Sequence, residues 1–170
     1  GGFSVERVKQ LSGEEDYKKV LENIFLLKPV NFKEQEKAFE KLLEYLKKEV
    51  SLIVVDGMTI LYRIDFAEAR GKDENEMRRI NAELVRQIKT LAEISRKREI
   101  PVLITNQVYN WDDEKKMVGG DILRYWSKCH IELRNEKGER RAYLRKHRSI
   151  AEKELEFIIN SSGVKKRGWL

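Results

Sequence analysis

Two patterns of apolar residues alternate along the chain, one with helical spacing and one nearly continuous. The clearest helical stretch begins at Met77 and continues to the basic segment SRKREI. Its apolar residues recur every three or four positions: Ile80, Leu84, Ile88, Leu91 and Ala92. This spacing puts all of them on one face of a helix. The pattern predicts a long amphipathic helix that covers a core.

Two further helices are predicted nearer the N-terminus, each from a capping signal followed by apolar residues. Ser4 is the expected N-cap of SVERVKQL, and Gly13 follows the end of that segment. Asn31 followed by Glu34 resembles a capping box at the start of the next helix. The apolar stripe of this next helix consists of Phe39, Leu42, Leu43 and Leu46.

Three nearly continuous apolar segments, NIFLLKP, SLIVVD and PVLITNQV, are typical of short buried strands. An amphipathic helix precedes each of them, and a polar stretch at about residues 65–76 follows the second. Strands that are apolar on both faces and connected through helices form parallel sheets covered on both sides. We therefore expect an α/β fold with a mainly parallel sheet flanked by helices.

The character of the sequence changes after Val108. A polar loop, YNWDDEKKM, leads to the short segment GGDILRYW, whose Tyr125 and Trp126 are expected in the core. KCHIELR and RRAYLRKHR follow, joined by NEKGE, in which Gly138 suits a hairpin turn, and ELEFIIN is a last strand. Because the sequence has no internal repeat or inter-domain linker, we expect a single domain over residues 1–170 with a C-terminal antiparallel hairpin.

Charge and cysteine content narrow the class of protein. Lys and Arg number 35 against 29 Asp and Glu, which gives a formal net charge of +6. Such a mixed surface allows a polyanionic partner without requiring one. The single cysteine, Cys129, excludes an internal disulfide, and no apolar run reaches the roughly 18 residues of a membrane span. We expect a cytoplasmic protein with no membrane partner.

Polar side chains follow two of the predicted strands at the point where each strand ends. Asp56 ends SLIVVD, and Asn106 and Gln107 follow PVLIT. Ligands of parallel α/β sheets bind beyond the carboxyl ends of the strands, where a carboxylate can hold a hard cation on phosphates. The spacing alone also allows a simpler interpretation, in which Asp56 caps the next segment and Asn106 forms a turn.

A set of motifs makes the chain resemble the ATPase core of the RecA/RadA recombinase family. VVDG, a helix rich in Arg and Lys, IPVLITNQV, GGDIL and a basic hairpin occur in the family's order. GGFSVERV is similar to a segment of its archaeal members. The compact chain, the short loop after NQV and RKHRS near the end are most similar to archaeal paralogues of the RadB type. The resemblance covers most of residues 1–160 and implies a RecA-like core.

The resemblance also implies roles for the polar strand ends. Asp56 is similar to the Walker B acid, which helps to hold Mg²⁺. Gln107 matches the glutamine that senses the γ-phosphate of ATP, and Asn106 is its neighbour in the same motif. ATP and Mg²⁺ are therefore the expected cofactors of the complete protein in this family.

Two parts of the family's ATP site are missing from these 170 residues. No GxxxxGK[ST] sequence occurs, so no glycine-rich loop, lysine or hydroxyl cradles phosphates. The family's water-positioning glutamate would come just before GGFS. We expect an N-terminally incomplete core that binds ATP weakly or not at all, without useful hydrolysis. Whether the protein is an enzyme stays open.

DNA contacts are predicted from basic clusters, interleaved aromatic residues and the resemblance. Residues 64–76 and 109–120 match the family's two DNA-facing loops, and single-stranded DNA is the favoured partner because aromatic side chains stack on unpaired bases. The predicted contacts are Arg63, Arg70, Lys72, Tyr109, Trp111, Gly119, Gly120, Arg145, Lys146 and Arg148. The alternative for the hairpin is a solvated charged face.

Three functions remain open from the sequence. The first is a DNA-binding repair and recombination protein of the RadB type that assists a recombinase of the RadA type. The second is a non-catalytic adaptor that docks on a recombinase or polymerase. The third is a RecA-like regulatory ATPase of the clock-protein type, which acts on proteins without DNA.

Overall fold

A computed structural model of the chain describes residues 2–46, 49–111, 114–117 and 120–168. By their contacts, the residues form two compact units, one of residues 28–127 and one of residues 1–27 with 128–170. The interpretation of residues 1–170 as a single domain stays a prediction. Among the described helices, none is both long and apolar enough to cross a membrane.

The unit of residues 28–127 is an α/β arrangement around two short parallel strands. Its elements, in chain order, are α3 (Phe32–Tyr45), β1 (Ile53–Val55), α4 (Ile60–Ala69), α5 (Glu74–Arg98), β2 (Val102–Ile104), β3 (Val108–Trp111), β4 (Glu114–Met117) and α6 (Gly120–Trp126). β1 and β2 pair in parallel with Val55 opposite Ile104. β3 and β4 form an antiparallel hairpin in part of the segment expected to be a polar loop.

Helix α5 confirms the periodicity seen in the sequence. Asp73 is its N-cap, and the Asp73 carboxylate accepts hydrogen bonds from the backbone N–H groups of Asn75 and Glu76. Its apolar stripe packs against Phe32 and Phe39 of α3 and Ile53 of β1 in one core. The buried residues of the stripe are Ile80, Leu84, Ile88, Leu91 and Ile94.

Helix α3 begins with the predicted capping interaction. The Asn31 side chain accepts from the Glu34 N–H at 2.8 Å, and the Glu34 carboxylate accepts from the Val30 N–H at 3.0 Å. Phe32 and Phe39 are buried in the core, whereas Leu43, which was expected in the buried stripe, is half exposed. The buried face of α3 therefore begins earlier in the helix than the sequence pattern indicated.

The other unit combines two N-terminal helices with a four-stranded antiparallel sheet. Its elements are α1 (Val5–Ser12), α2 (Tyr17–Glu22), β5 (His130–Glu136), β6 (Glu139–Lys146), β7 (Lys153–Asn160) and β8 (Gly163–Lys166). The strand order is β5-β6-β7-β8. Ser4 caps α1, and Lys137 and Gly138 form the hairpin turn with positive φ, as a two-residue turn of this kind requires.

Two predictions from the apolar pattern are wrong in detail. NIFLLKP contains no strand and pairs with no described strand, and Ile24, Phe25 and Leu26 are exposed. The parallel pair is covered on one face only: Val54 and Leu103, which face each other, are both more than half exposed.

The polar stretch after the second strand is mostly helical rather than a loop. α4 continues to Ala69 and α5 begins at Glu74, so only residues 70–73 connect them. The charged residues in this stretch do not prevent a helix, since Glu and Ala have high helix propensity. The Asp73 cap then starts the next helix at once.

Candidate functional site

Asp56 and Thr105 follow the paired ends of β1 and β2, so the two strand ends lie at the same edge of the parallel pair. This confirms the predicted placement of Asp56 beside the segment that contains Asn106 and Gln107. The Thr105 hydroxyl donates to Asp56 Oδ1 at 2.6 Å and accepts from the Gly57 N–H at 2.8 Å. One hydroxyl therefore orients the carboxylate and fixes the backbone that follows it.

The backbone of Thr105, just after β2, also holds the segment that follows Asp56. The Met58 N–H donates to the Thr105 carbonyl at 3.1 Å, and the Thr105 N–H donates to the Val55 carbonyl at 3.0 Å. The N-cap of α4 is Thr59. Asp56 therefore does not cap α4, contrary to the simpler interpretation of the sequence.

Asn106 and Gln107 each contact a residue of the β1–α4 connection or of α4 itself. The buried Thr59 hydroxyl donates to Asn106 Oδ1, and Arg63 Nη1 approaches Gln107 Oε1 at 3.4 Å. The Asp56 and Gln107 side chains are exposed at this edge. The arrangement joins the predicted phosphate-sensing residue to a predicted DNA-contacting arginine.

Gly57 is required at its position by both conformation and space. Its φ is +76°, and a Cβ there would lie 2.4 Å from Ile60 Cδ1. A larger residue would be strained at this φ, and the Ile60 side chain would have to move to make room for its Cβ. The backbone conformation at this position therefore explains the glycine of the VVDG motif.

Two buried glutamines support the same segment from the other side, and the sequence reading missed them. Gln35 of α3 donates to the Met58 carbonyl at 3.2 Å and to Gln87 Oε1 at 2.7 Å, and Gln87 of α5 donates to Glu83 at 2.8 Å. Gln87 lies on the apolar face of α5. A polar residue within the predicted apolar stripe is the signal in the sequence that could have indicated it.

The edge fits a hard cation held partly by phosphate oxygens. Asp56 supplies one exposed carboxylate, and oxygen ligands of this kind suit Mg²⁺. In the described part of the chain no group of three or more His, Cys, Asp or Glu residues is arranged to hold a metal by itself. Phosphate and water oxygens would have to complete the coordination.

The first group of predicted DNA contacts lies along α4 and just after it. Arg63 and Arg70 line one shallow groove on α4 together with the exposed Ile60 and Ile64, and Lys72 lies in the short connection to α5. Arg63, Arg70 and Lys72 are all exposed. Arg63 and Arg70 therefore share one groove along α4, and Lys72 follows two residues after Arg70; α4 with this connection is called the α4 end of the unit.

Arg79, which follows this group in α5, has its charge balanced by two glutamates. Arg79 pairs with Glu76 at 3.0 Å and Glu36 at 2.9 Å, and these hydrogen bonds raise the pKa of Arg79 above its usual range. Burial, and then the neighbouring Glu68, raise the pKa of Asp65. Arg79 thus ties α5 to α3.

The hairpin strands carry an extensive ion-pair network on one face. Arg145 binds Glu132 at 2.7 Å and lies 4.6 Å from the centre of the Tyr143 ring, and Arg134 lies 4.8 Å from the same ring. Arg141 pairs with three glutamates: Glu139, Glu154 and Glu156. Hydrogen bonds from Arg141 and then Arg167 lower the pKa of Glu139.

Lys146 and Arg148, the other two predicted contacts of the hairpin region, are exposed at the end of β6 and just after it. Arg145, by contrast, has its charge balanced by Glu132. Of the three predicted hairpin contacts, Arg145 is therefore held by Glu132, and Lys146 and Arg148 are exposed at the end of the strand.

The remaining predicted contacts fall in a partly described segment. The backbones of Tyr109 and Trp111 lie in β3, and Gly120 begins α6. The side chains of Tyr109 and Trp111, and the whole of Gly119, lie outside the described part of the chain. Tyr125 was expected in the core but is 75% exposed, whereas Leu123 of the same helix is buried.

Comparison with known proteins gives a consistent group of relatives. A family model described as Rad51 matches residues 1–167. The DNA repair and recombination protein RadB of Methanocaldococcus jannaschii is 38% identical over 164 residues, which are 96% of this chain and 75% of that protein. RadB of Methanococcus maripaludis is 38% identical over 165 residues, covering 96% and 74%. RadB of Methanobrevibacter smithii is 38% identical over 175 residues, covering 96% and 71%.

Proposed function

The chain belongs to the Rad51 family, and we propose that it acts in DNA repair and recombination as a protein of the RadB type. The observation that carries this proposal is the edge formed by Asp56 and residues 105–107 at paired parallel strand ends. Ligands of parallel α/β sheets bind at such an edge. The similarity to proteins named RadB supplies the biological role.

The proposed DNA-binding surface is the α4 end of the unit of residues 28–127. Arg63, Arg70 and Lys72 are exposed there, and each can replace a counterion on a phosphate. Tyr125 offers an exposed ring in the same unit that can stack on an unpaired base. This combination favours single-stranded over double-stranded DNA.

Asp56, Asn106 and Gln107 are the proposed contacts for a Mg²⁺-bound nucleotide. Asp56 would hold the metal, and Gln107 would report the state of the terminal phosphate to Arg63, which it contacts at 3.4 Å. Mg²⁺ would supply charge neutralisation on the phosphates. Because no GxxxxGK[ST] sequence occurs in these residues, we propose that they hold ATP only weakly by themselves.

A recombinase of the RadA type is the proposed partner in recombination. The test is strand exchange between single-stranded and duplex DNA by such a recombinase, with and without this chain. We expect the chain to raise the yield of joint molecules, and the variant Arg63→Gln/Arg70→Gln/Lys72→Gln to lose that effect. An unchanged yield with the wild-type chain would contradict the proposal.

A non-catalytic adaptor is the second candidate function. It is favoured by the ion-pair network of the hairpin, where Arg141 and Arg145 are already bound by glutamates. An adaptor would act through protein contacts. In the same assay, a triple variant that still raises the yield of joint molecules would favour the adaptor over the DNA-binding function.

A further inference from the structure

A chain of buried amides crosses the core between α3 and α5. Gln35 is 6% exposed and Gln87 is 1% exposed, and they are joined through Gln35 Nε2 and Gln87 Oε1 at 2.7 Å. Gln87 then donates to Glu83, which also binds Arg86. Because burial of polar groups costs free energy unless they are hydrogen-bonded, an apolar pair at these positions would be the simpler core.

The end of this amide chain is a backbone carbonyl beside the candidate site. Gln35 Nε2 donates to the Met58 carbonyl at 3.2 Å, and Met58 is fully buried between Asp56 and Thr59. On the opposite side, the Met58 N–H donates to the Thr105 carbonyl at 3.1 Å. The peptide groups of Met58 are therefore held by β2 on one side and by the two helices on the other.

We propose that Gln35 and Gln87 are positioning residues, which fix residues 56–59 and through them the Asp56 carboxylate and the start of α4. The two amides contact no ligand; they act through the Met58 carbonyl. The inference rests on the proposed function, in which Asp56 binds the Mg²⁺-bound nucleotide and the arginines of the α4 end bind DNA. Its physical basis is that one hydrogen bond to each of the two peptide groups that flank the Met58 Cα restricts rotation about the backbone of Met58.

The test compares single and double substitutions in the full chain. Gln35→Met and Gln87→Met each leave a buried amide without its partner, so each variant should unfold at a lower temperature than the wild type. The double variant Gln35→Met/Gln87→Met removes both amides and fills the space with unbranched apolar side chains. It should recover part of the loss, because neither amide is left without its partner, while the buried Met58 carbonyl still lacks its donor.

The decisive measurement is amide hydrogen exchange by NMR. In the double variant we expect the Gly57 and Met58 amides to exchange about fivefold to tenfold faster than in the wild type, the size expected when one buried hydrogen bond is lost. The Ile53 and Thr105 amides, which bond within the β1–β2 pair, should keep their wild-type rates. The control Leu91→Met, a substitution of similar volume in α5, should change none of the four.

Binding of labelled single-stranded DNA by the same proteins gives the functional outcome. The double variant should bind severalfold more weakly than the wild type and the Leu91→Met control. Wild-type rates at Gly57 and Met58 in the double variant would overturn the inference, as would faster exchange with unchanged DNA affinity. A wild-type chain that binds no DNA would instead overturn the proposed function, while the exchange rates would still decide whether the amides fix residues 56–59.

Discussion

Thr105 shows how much of the candidate site depends on one side chain. Its hydroxyl reaches the Asp56 carboxylate and the Gly57 N–H because Thr105 follows Ile104, which is directly opposite Val55 in the parallel register. The sequence indicates the polar residues Asn106 and Gln107 more readily than Thr105. A threonine at the end of an apolar run reads as part of the strand, since threonine is common in strands.

Replacement of Thr105 by valine tests this role without a change in shape. Thr105→Val removes both hydrogen bonds and should lower the free energy of unfolding by about 1 kcal/mol, since water can partly replace the hydroxyl at this exposed position. Thr105→Ser keeps the hydroxyl and serves as the control. The measurement is urea unfolding followed by circular dichroism. Equal free energies of unfolding for the valine and serine variants would show that the Thr105 hydroxyl does not stabilise the fold.

Asp65 provides a prediction of pH dependence. Because burial and Glu68 raise its pKa in the folded state, the protein loses stability as pH rises through that raised pKa. Asp65→Asn removes this loss, so the variant should melt at a higher temperature than the wild type at pH 7, with the difference disappearing below the unfolded pKa of about 3.9. Thermal unfolding at several pH values is the measurement, and a gain that persists at low pH would rule out the titration of Asp65 as its cause.

At the scale of elements, predictions from residues close together in the sequence were more reliable than predictions that depended on a distant partner. Helix α5, the Asn31–Glu34 cap and the β5–β6 turn at Gly138 follow from residues close together in sequence. NIFLLKP has the composition of a strand, but a strand also needs a neighbour, which composition does not provide. The Arg145–Glu132 pair likewise joins two strands, so a count of basic residues along one strand could not reveal it.

This pairing makes the hairpin cations unequal as DNA contacts. Arg148 is exposed and has no ion pair with another described residue, whereas Arg145 must leave Glu132 before it can bind a phosphate. Arg148→Gln should make the slope of log K against log salt shallower by about 0.7, the value for one phosphate contact with single-stranded DNA. Arg145→Gln should change it less. Fluorescence anisotropy at several salt concentrations provides both slopes, and a larger effect from Arg145→Gln would reverse the assignment.

For the whole molecule, the net charge of +6 does not by itself identify a DNA-binding surface, because many of the cations are paired with acids. Arg79, Arg141 and Arg145 are bound by glutamates, whereas Arg63, Arg70 and Lys72 are exposed on α4 or just after it in the unit of residues 28–127. The sequence identified this basic group and the Asp56 edge. The amides that support the edge, Gln35 and Gln87, lie 52 positions apart and become neighbours only in the fold.

The most direct test of the account is the affinity for labelled single-stranded DNA measured by anisotropy from about 50 to about 200 mM salt. The wild-type chain should bind with a negative salt slope, and Arg63→Gln/Arg70→Gln/Lys72→Gln should make that slope shallower by about 2, as expected for three lost phosphate contacts. The control removes three cations in the last turn of α5, at the other end of β2: Arg96, Lys97 and Arg98. This control should keep nearly the wild-type slope. Absent binding, or equal slopes for the two triple variants, would contradict a DNA-binding surface at the α4 end of the unit of residues 28–127.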